Sequence, residues 1–258
     1  MRAPGFTIEH FEEIDSTNTY LMGEGRRGAP AGLVAVADHQ TAGRGRLGRT
    51  WEAPVGASLL MSVLLREALE PQSLHLATAA VALAAAQAAE TTCGLRPGLK
   101  WPNDLVIEGA KVAGVLAEAD PSAPGGPPGS TAIVVGIGVN LTWPGPPGVG
   151  GTSLLEATGI TVARNAMVEA LLEALSPRLL QLRSPEGQTT LVGELASSLV
   201  TIGQAVSVEM ANGSIEGVGA GLSPAGHLLV ETATGTVEVA AGDVLHLRPA
   251  SLGGPQPE

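Results

Sequence analysis

The sequence predicts an α+β protein, a mixed β-sheet flanked by helices and followed by a small all-β unit. Three observations predict it. Apolar runs of strand length alternate with two long helical segments as far as Ser198. From about Val200 the texture changes to short strands separated by Gly, Asn-Gly and Pro turns, the spacing of a small barrel or sandwich. The length, 258 residues, suits one medium domain plus a small one. The expected organisation is 1–198, then 199–248, then a disordered tail at 249–258.

The elements follow in order. "FTIEHFEEI" (6–14) reads as a short strand. Ser16 or Thr17 can cap a helix that stops at the glycine-rich "GEGRRGAPAG". "GLVAVAD" (32–38) is a buried strand. "ASLLMSVLLR" (57–66) is another, with helix as the alternative by length. Residues 71–94 form the clearest helix: Pro71 and Ser73 mark its start, alanine fills it and Gly94 ends it. Residues 98–119 suggest a hairpin with "EGA" at its turn, and "TAIVVGIGVNL" (131–141) a strand with Gly136 and Gly138 on one face. Residues 161–183 form an amphipathic helix that Pro177 should kink or divide. The Pro/Gly stretch 121–130 has no strand or helix propensity.

Composition narrows the function. The formal net charge is -11, which argues against non-specific nucleic-acid binding. Only some fifteen residues precede the first motif and none forms a basic recognition helix, so no DNA-binding role is expected. The alanine-rich run near Val81–Ala89 contains Gln87 and is not a membrane span. The N-terminus has no apolar signal region. The single cysteine, Cys93, excludes an intrachain disulfide framework and fits a reducing cytoplasm, the expected location. Twelve of the 14 cationic residues are arginine; the exceptions are Lys100 and Lys111, candidates for a task that needs a compact ammonium. The three tryptophans, Trp51, Trp101 and Trp143, each lie in or beside a motif, which suggests use in a site.

Four stretches carry chemistry. In "TAGRGRLGRTW" (41–51), Arg44, Arg46 and Arg49 alternate with glycines in a segment expected to be too flexible for helix or strand. Glycine lets backbone approach a ligand, and guanidinium forks fit carboxylate and phosphate. The combination points to an anion-binding loop that closes over its ligand; a solvated surface loop is the weaker alternative. It is no Walker loop, lacking the Gly-Lys-Ser/Thr ending. "KWPND" (100–104) offers an amide and a carboxylate, Asp104, able to hold Mg²⁺. Taken alone it is equally a turn. In "KVAGVLAE" (111–118), Lys111 beside Ala113 and Gly114 is either an edge-protecting charge or, given its rarity, a functional ammonium. "GIGVN" (136–140) is a glycine-bearing strand that suits a ligand or a packed helix.

With "STN" (16–18) these stretches, in this order and spacing, resemble the biotin–protein ligase family over roughly residues 7–248. The resemblance implies a catalytic domain and a small SH3-like C-terminal domain. It implies ATP-dependent formation of biotinyl-5′-AMP and pyrophosphate, then transfer of biotin to a lysine of the biotin carboxyl carrier protein, with Mg²⁺ as accompanying ion. By resemblance Lys111, Arg46 and Arg44 are catalytic. Ser16, Thr17, Asn18, Gln40, Gly43, Arg44, Gly45, Arg46, Lys111, Gly114 and Gly136 hold biotin. Arg46, Arg49, Trp51, Asn103, Asp104, Lys111 and Asn140 face ATP, and Asp104 faces Mg²⁺. Leu47 departs from members with a basic residue there. A homodimer is one of the oligomeric states in the family; no DNA and no membrane are expected as partners. Two rivals stay open: a lipoate ligase or octanoyltransferase on the same fold, and a biotin sensor without transfer. Octanoyltransferases of this fold use a cysteine nucleophile, and Cys93 lies away from every motif.

Overall fold

The computed structural model describes residues 5–70, 73–210, 213–240 and 242–246. Among these a seven-stranded sheet runs in the order β1-β2-β3-β7-β6-β5-β4. Its strands are β1 (Thr7–Ile14), β2 (Leu33–Gln40), β3 (Ser58–Glu67), β4 (Gly98–Lys100), β5 (Asp104–Ile107), β6 (Ala110–Asp120) and β7 (Thr131–Asn140). β1 and β2 are parallel and the other pairs antiparallel, so the sheet is mixed as expected.

Strand alternation divides the apolar residues between two faces. Val34, Val36, Met61, Val63 and Leu65 pack against α2 (His75–Cys93) and α4 (Arg164–Gln181) in the main core. Leu33, Ala35, Leu64, Ala132 and Val134 pack against Leu21 of α1 (Thr17–Arg26) in a smaller one. α2 is buried almost all round, and alanine makes that possible by letting neighbouring backbones approach. It ends at Gly94 with φ 74°, the left-handed residue expected there. Pro71 lies outside the described residues, as does the tail 249–258.

Several expectations are revised. Residues 98–119 form three strands, because "WPN" makes its own turn before Glu108 and Gly109 make the second with φ 51° and 83°. Pro177 neither divides nor ends α4, which runs on to Gln181. The short α3 (Leu154–Thr158) and α5 (Pro185–Ser198), capped by Ser153 and Ser184, were not anticipated. The stretch 121–130 is tied down by buried Arg66, which donates to the carbonyls of Ala123, Gly25 and Ala29.

A second sheet is antiparallel and five-stranded, in the order β11-β10-β9-β8-β12. It comprises β8 (Ala205–Met210), β9 (Gly213–Leu222), β10 (Leu228–Thr232), β11 (Gly235–Val239) and β12 (Asp243–His246). Thr201 Oγ1 accepts from the Trp101 backbone N–H at 3.1 Å, and Leu199 bridges Leu99, so the second sheet starts fastened to the first.

Candidate active site

On the face that carries α1, beyond the start of that helix, three glycines leave the middle of the seven-stranded sheet low. The register explains this. Ser62, Gly136 and Leu116 form one row across β3, β7 and β6; Leu60, Gly138 and Gly114 form the next. From these rows Leu60, Gly114, Leu116, Gly136 and Gly138 floor a cavity of about 420 Å³, with Ser62 buried behind it. A methyl group at Gly136 would overlap the Asn18 amide, and one at Gly138 would overlap the Trp51 indole. The glycines therefore seat functional side chains, and Gly138, absent from the predicted site, belongs to it. Its signal was the Gly-Ile-Gly spacing, which puts both glycines on one face.

The wall beside the floor comes from α1. Ser16 caps the helix, and Thr17 and Asn18 are buried. Gln40 Oε1, from the end of β2, accepts from the Thr17 backbone N–H at 2.8 Å. Thr17 Oγ1 lies 2.7 Å from Ser62 Oγ, and Ser62 donates to Asn18 Oδ1 at 2.6 Å. Ser62 was missed too; a lone serine inside "LLMSVLL" marks a polar demand in a buried strand.

The roof is the arginine segment. It is a small hairpin rather than a flexible loop: Trp51 N–H donates to Gly43 O at 3.0 Å, Arg44 bridges Thr50, and Gly45 N–H donates to Arg49 O at 2.7 Å. Its tip is a single 3-10 turn at Arg46–Gly48, where exposed Leu47 has φ 56°. Gly43 does not line the main cavity; it lines a neighbouring cleft that also contains Trp143. The other predicted residues, Ser16, Thr17, Asn18, Gln40, Arg44, Gly45, Arg46, Arg49, Trp51, Asn103, Asp104, Lys111, Gly114, Gly136 and Asn140, all line the cavity. Trp101 also borders it but is 5% exposed and part of the core.

Lys111 reaches the cavity through a bulge. Asp104 pairs with Gly114 and Leu105 with Ala113, but Val106 pairs with Lys111, so Val112 is an extra residue. That insertion reverses the alternation and turns Lys111 to the same face as Gly114. Lys111 Nζ stands 2.7 Å from Asp104 Oδ1 and 5.6 Å from the centre of the Trp51 ring.

The cations are held by carboxylates from separate elements. Arg44 Nη1 lies 2.9 Å from Glu118 Oε1 on β6. Arg46 Nη1 donates to Asp243 on β12 at 3.0 Å and to Asn103 Oδ1 at 3.1 Å. Arg49 also pairs with Asp243. Such partly exposed pairs add little to stability, so their effect is mainly on side-chain placement. Asn140, which lines the cavity, spends both amide protons on the carbonyls of Pro144 and Thr152. Among the described residues there is no cluster of three or more His, Cys, Asp or Glu that could hold a metal. No helix among them is long and apolar enough to cross a membrane.

A model of the biotin/lipoate A/B protein ligase family matches residues 10–140, and one of the biotin protein ligase C-terminal domain matches residues 201–247. The chain belongs to the biotin–protein ligase family. It is 35% identical over 243 residues to the biotin–[acetyl-CoA-carboxylase] ligase of Mycobacterium tuberculosis, covering 92% of this chain and 87% of that one. It is 31% identical to the bifunctional ligase/repressor BirA of Escherichia coli, covering 95% of this chain and 75% of the relative. Among solved structures, the biotin protein ligase of Aquifex aeolicus in complex with biotin and ATP superposes with a TM-score of 0.78 at 29% identity, covering 94% and 99% of the two chains. In this family member the five-stranded sheet falls within the second matched region, and the seven-stranded sheet within the first apart from the start of β1.

Proposed function

We propose that this protein activates biotin with ATP as biotinyl-5′-AMP, then transfers biotin to a lysine of a biotin carboxyl carrier protein. The observation that carries the reading is the placing of Lys111 and three arginines around one cavity with a glycine floor and a polar wall. In the first step a biotin carboxylate oxygen attacks the α-phosphorus and pyrophosphate leaves. Two anions must be brought together, and fixed cations lower the cost of doing so. Lys111 Nζ neutralises the carboxylate and α-phosphate. Arg44 and Arg46 cover the reacting groups, with Arg49 toward the phosphates. Ser16, Thr17, Asn18 and Gln40 meet the polar ureido ring, while Gly114 and Gly136 keep the floor low enough for it to lie flat. Trp51 lies beside the adenine, with Asn103 and Asn140 on the nucleotide side.

In the second step the acceptor amine attacks the acyl carbon and the bond to the phosphate oxygen breaks, so AMP leaves with the electron pair. No covalent enzyme intermediate is needed, and most of the rate comes from positioning. Mg²⁺ suits Asp104 plus the nucleotide's own phosphates, since this ion commonly takes one or two protein carboxylates; when bound it would neutralise phosphate charge. We also place the domain boundary near Ser198, where α5 ends.

The test is biotin-dependent pyrophosphate release from ATP–Mg²⁺, with lipoate and octanoate in parallel, followed by the intact mass of a carrier domain. Release with biotin alone and one added biotin mass are expected. Release with lipoate instead would change the substrate, and tight biotin binding without release would make the protein a sensor.

A further inference from the structure

Glu118 holds the roof and the wall of the cavity at once. It projects from β6 on the face of Gly114 and Leu116. Its Oε2 accepts from Asn18 Nδ2 at 2.9 Å. Arg44 Nη1 straddles the same carboxylate, 2.9 Å from Oε1 and 3.2 Å from Oε2. Asn18 stands at the head of α1, Arg44 in the arginine hairpin, and Glu118 joins them across the cavity edge.

The protons give this contact a direction. A carboxylate only accepts, so the Asn18 amide must turn its nitrogen toward Glu118. The Leu116 carbonyl, 3.3 Å from the same nitrogen, supports that orientation. Asn18 Oδ1 then faces Ser62, which spends its single proton there at 2.6 Å. The single proton of the Thr17 hydroxyl then has two acceptors within reach, Ser62 Oγ at 2.7 Å and Gln40 Oε1 at 3.0 Å. The donor and acceptor pattern is thus fixed from Glu118 through Asn18 to Ser62.

We propose that Glu118 is a positioning residue with two separable duties: it sets the amide orientation of Asn18 for the ring of the bound biotin, and it latches Arg44 and the hairpin over the adenylate. The inference rests on the ligase reading. Glutamine at 118 keeps an oxygen for Asn18 but loses the charge that holds Arg44; alanine loses both.

The test compares Glu118→Gln and Glu118→Ala with the parent enzyme, each first shown to keep the parent's melting temperature. Loss of a charged hydrogen bond changes an equilibrium by about tenfold or more. Glu118→Gln should leave the biotin KM within about twofold of the parent and shorten the lifetime of enzyme-held biotinyl-AMP by about threefold to fivefold, seen as stray biotinylation of bystander lysines. Glu118→Ala should do the same and raise the biotin KM by about tenfold, with the ATP KM unmoved. Identical behaviour of the two variants, or an unchanged adenylate lifetime in both, overturns the proposal. If the parent releases no pyrophosphate, the ligase reading fails. Glu118 is then judged by calorimetric biotin binding and tryptic cleavage within 44–49: only Glu118→Ala should weaken binding, and both variants should be cleaved faster. Parent-like values in both would overturn it.

Discussion

Arg46, in the hairpin over the seven-stranded sheet, donates to Asp243 at the start of a strand of the other sheet, at 3.0 Å. Arg49 shares the same carboxylate. The five-stranded sheet therefore holds the Arg46–Arg49 end of the roof. Replacing Asp243→Asn removes one charge that faces two arginines. A partly buried pair is worth up to about 1 kcal/mol, so the ATP KM should rise by up to about fivefold while biotin affinity stays within about twofold. Trypsin should cut the hairpin faster in the variant. An unchanged ATP KM together with unchanged cleavage would show that the hairpin is held without this sheet.

Lys111 owes its direction to the extra residue Val112, and its ammonium packs over Gly114, 3.1 Å from a methyl built there. A guanidinium is wider and cannot take that place beside Asp104. Lys111→Ala should keep the fold and lower the pyrophosphate-release rate by about 10²–10³, the usual loss for a preorganised charge-stabilising group. Lys111→Arg should recover little of it. Restoration by arginine to near the parent rate would mean that charge alone matters and the bulge does not.

Gly138 tests the seat of Trp51. A methyl group there would overlap the indole, whereas one at Gly114 would press on it at 3.2 Å. Gly138→Ala should therefore displace the ring, cost about 1–3 kcal/mol of stability and raise the ATP KM. Gly114→Ala should cost less. Tryptophan emission and thermal melting of the two variants check the ranking. Equal effects would mean that the indole is not held where it lies.

The parts of the fold legible in the sequence are those governed by local pattern. The apolar runs of β2, β3 and β7, the alanine helix α2 with its glycine stop, and the turn at Glu108–Gly109 follow from periodicity and turn chemistry. What escaped depends on partners distant in the chain. The bulge at Val112 exists only in register with β5. Arg44 and Glu118 meet over 74 positions and Arg46 and Asp243 over 197, so no spacing rule relates them. The glycines of the arginine segment signal flexibility locally, whereas the backbone pairing across its hairpin has no local signal. Pro177 looked disruptive because local propensity was judged without the packing of α4 on α2, which holds the helix together past it.

Tyr20 offers a prediction whose first readout needs no ligand. It lies on α1, and its hydroxyl donates to Glu9 Oε2 on β1 at 2.5 Å. That bond, then burial, then the charge of Glu9 push the phenol up to about 12. The chain has one tyrosine, so phenolate absorbance reports this group alone. The folded value lies above the unfolded one near 10, so the bond's contribution to stability is complete below pH 10 and is lost as pH rises from about 10 to about 12. The folded protein should therefore titrate near 12 and the denatured chain near 10. Glu9→Gln removes the charge and the strong acceptor and should bring the folded midpoint back toward 10. Tyr20→Phe should cost about 1 kcal/mol below pH 10, with the deficit closing as pH approaches 12. Because Thr17 and Asn18 begin the same helix, the biotin KM of Tyr20→Phe also reports whether the helix head moves; the Thr17–Gln40 and Asn18–Glu118 bonds should keep it unchanged. A folded midpoint near 10 in the parent would show that the Tyr20–Glu9 bond does not persist in solution, and that α1 is tied to β1 by apolar contact alone.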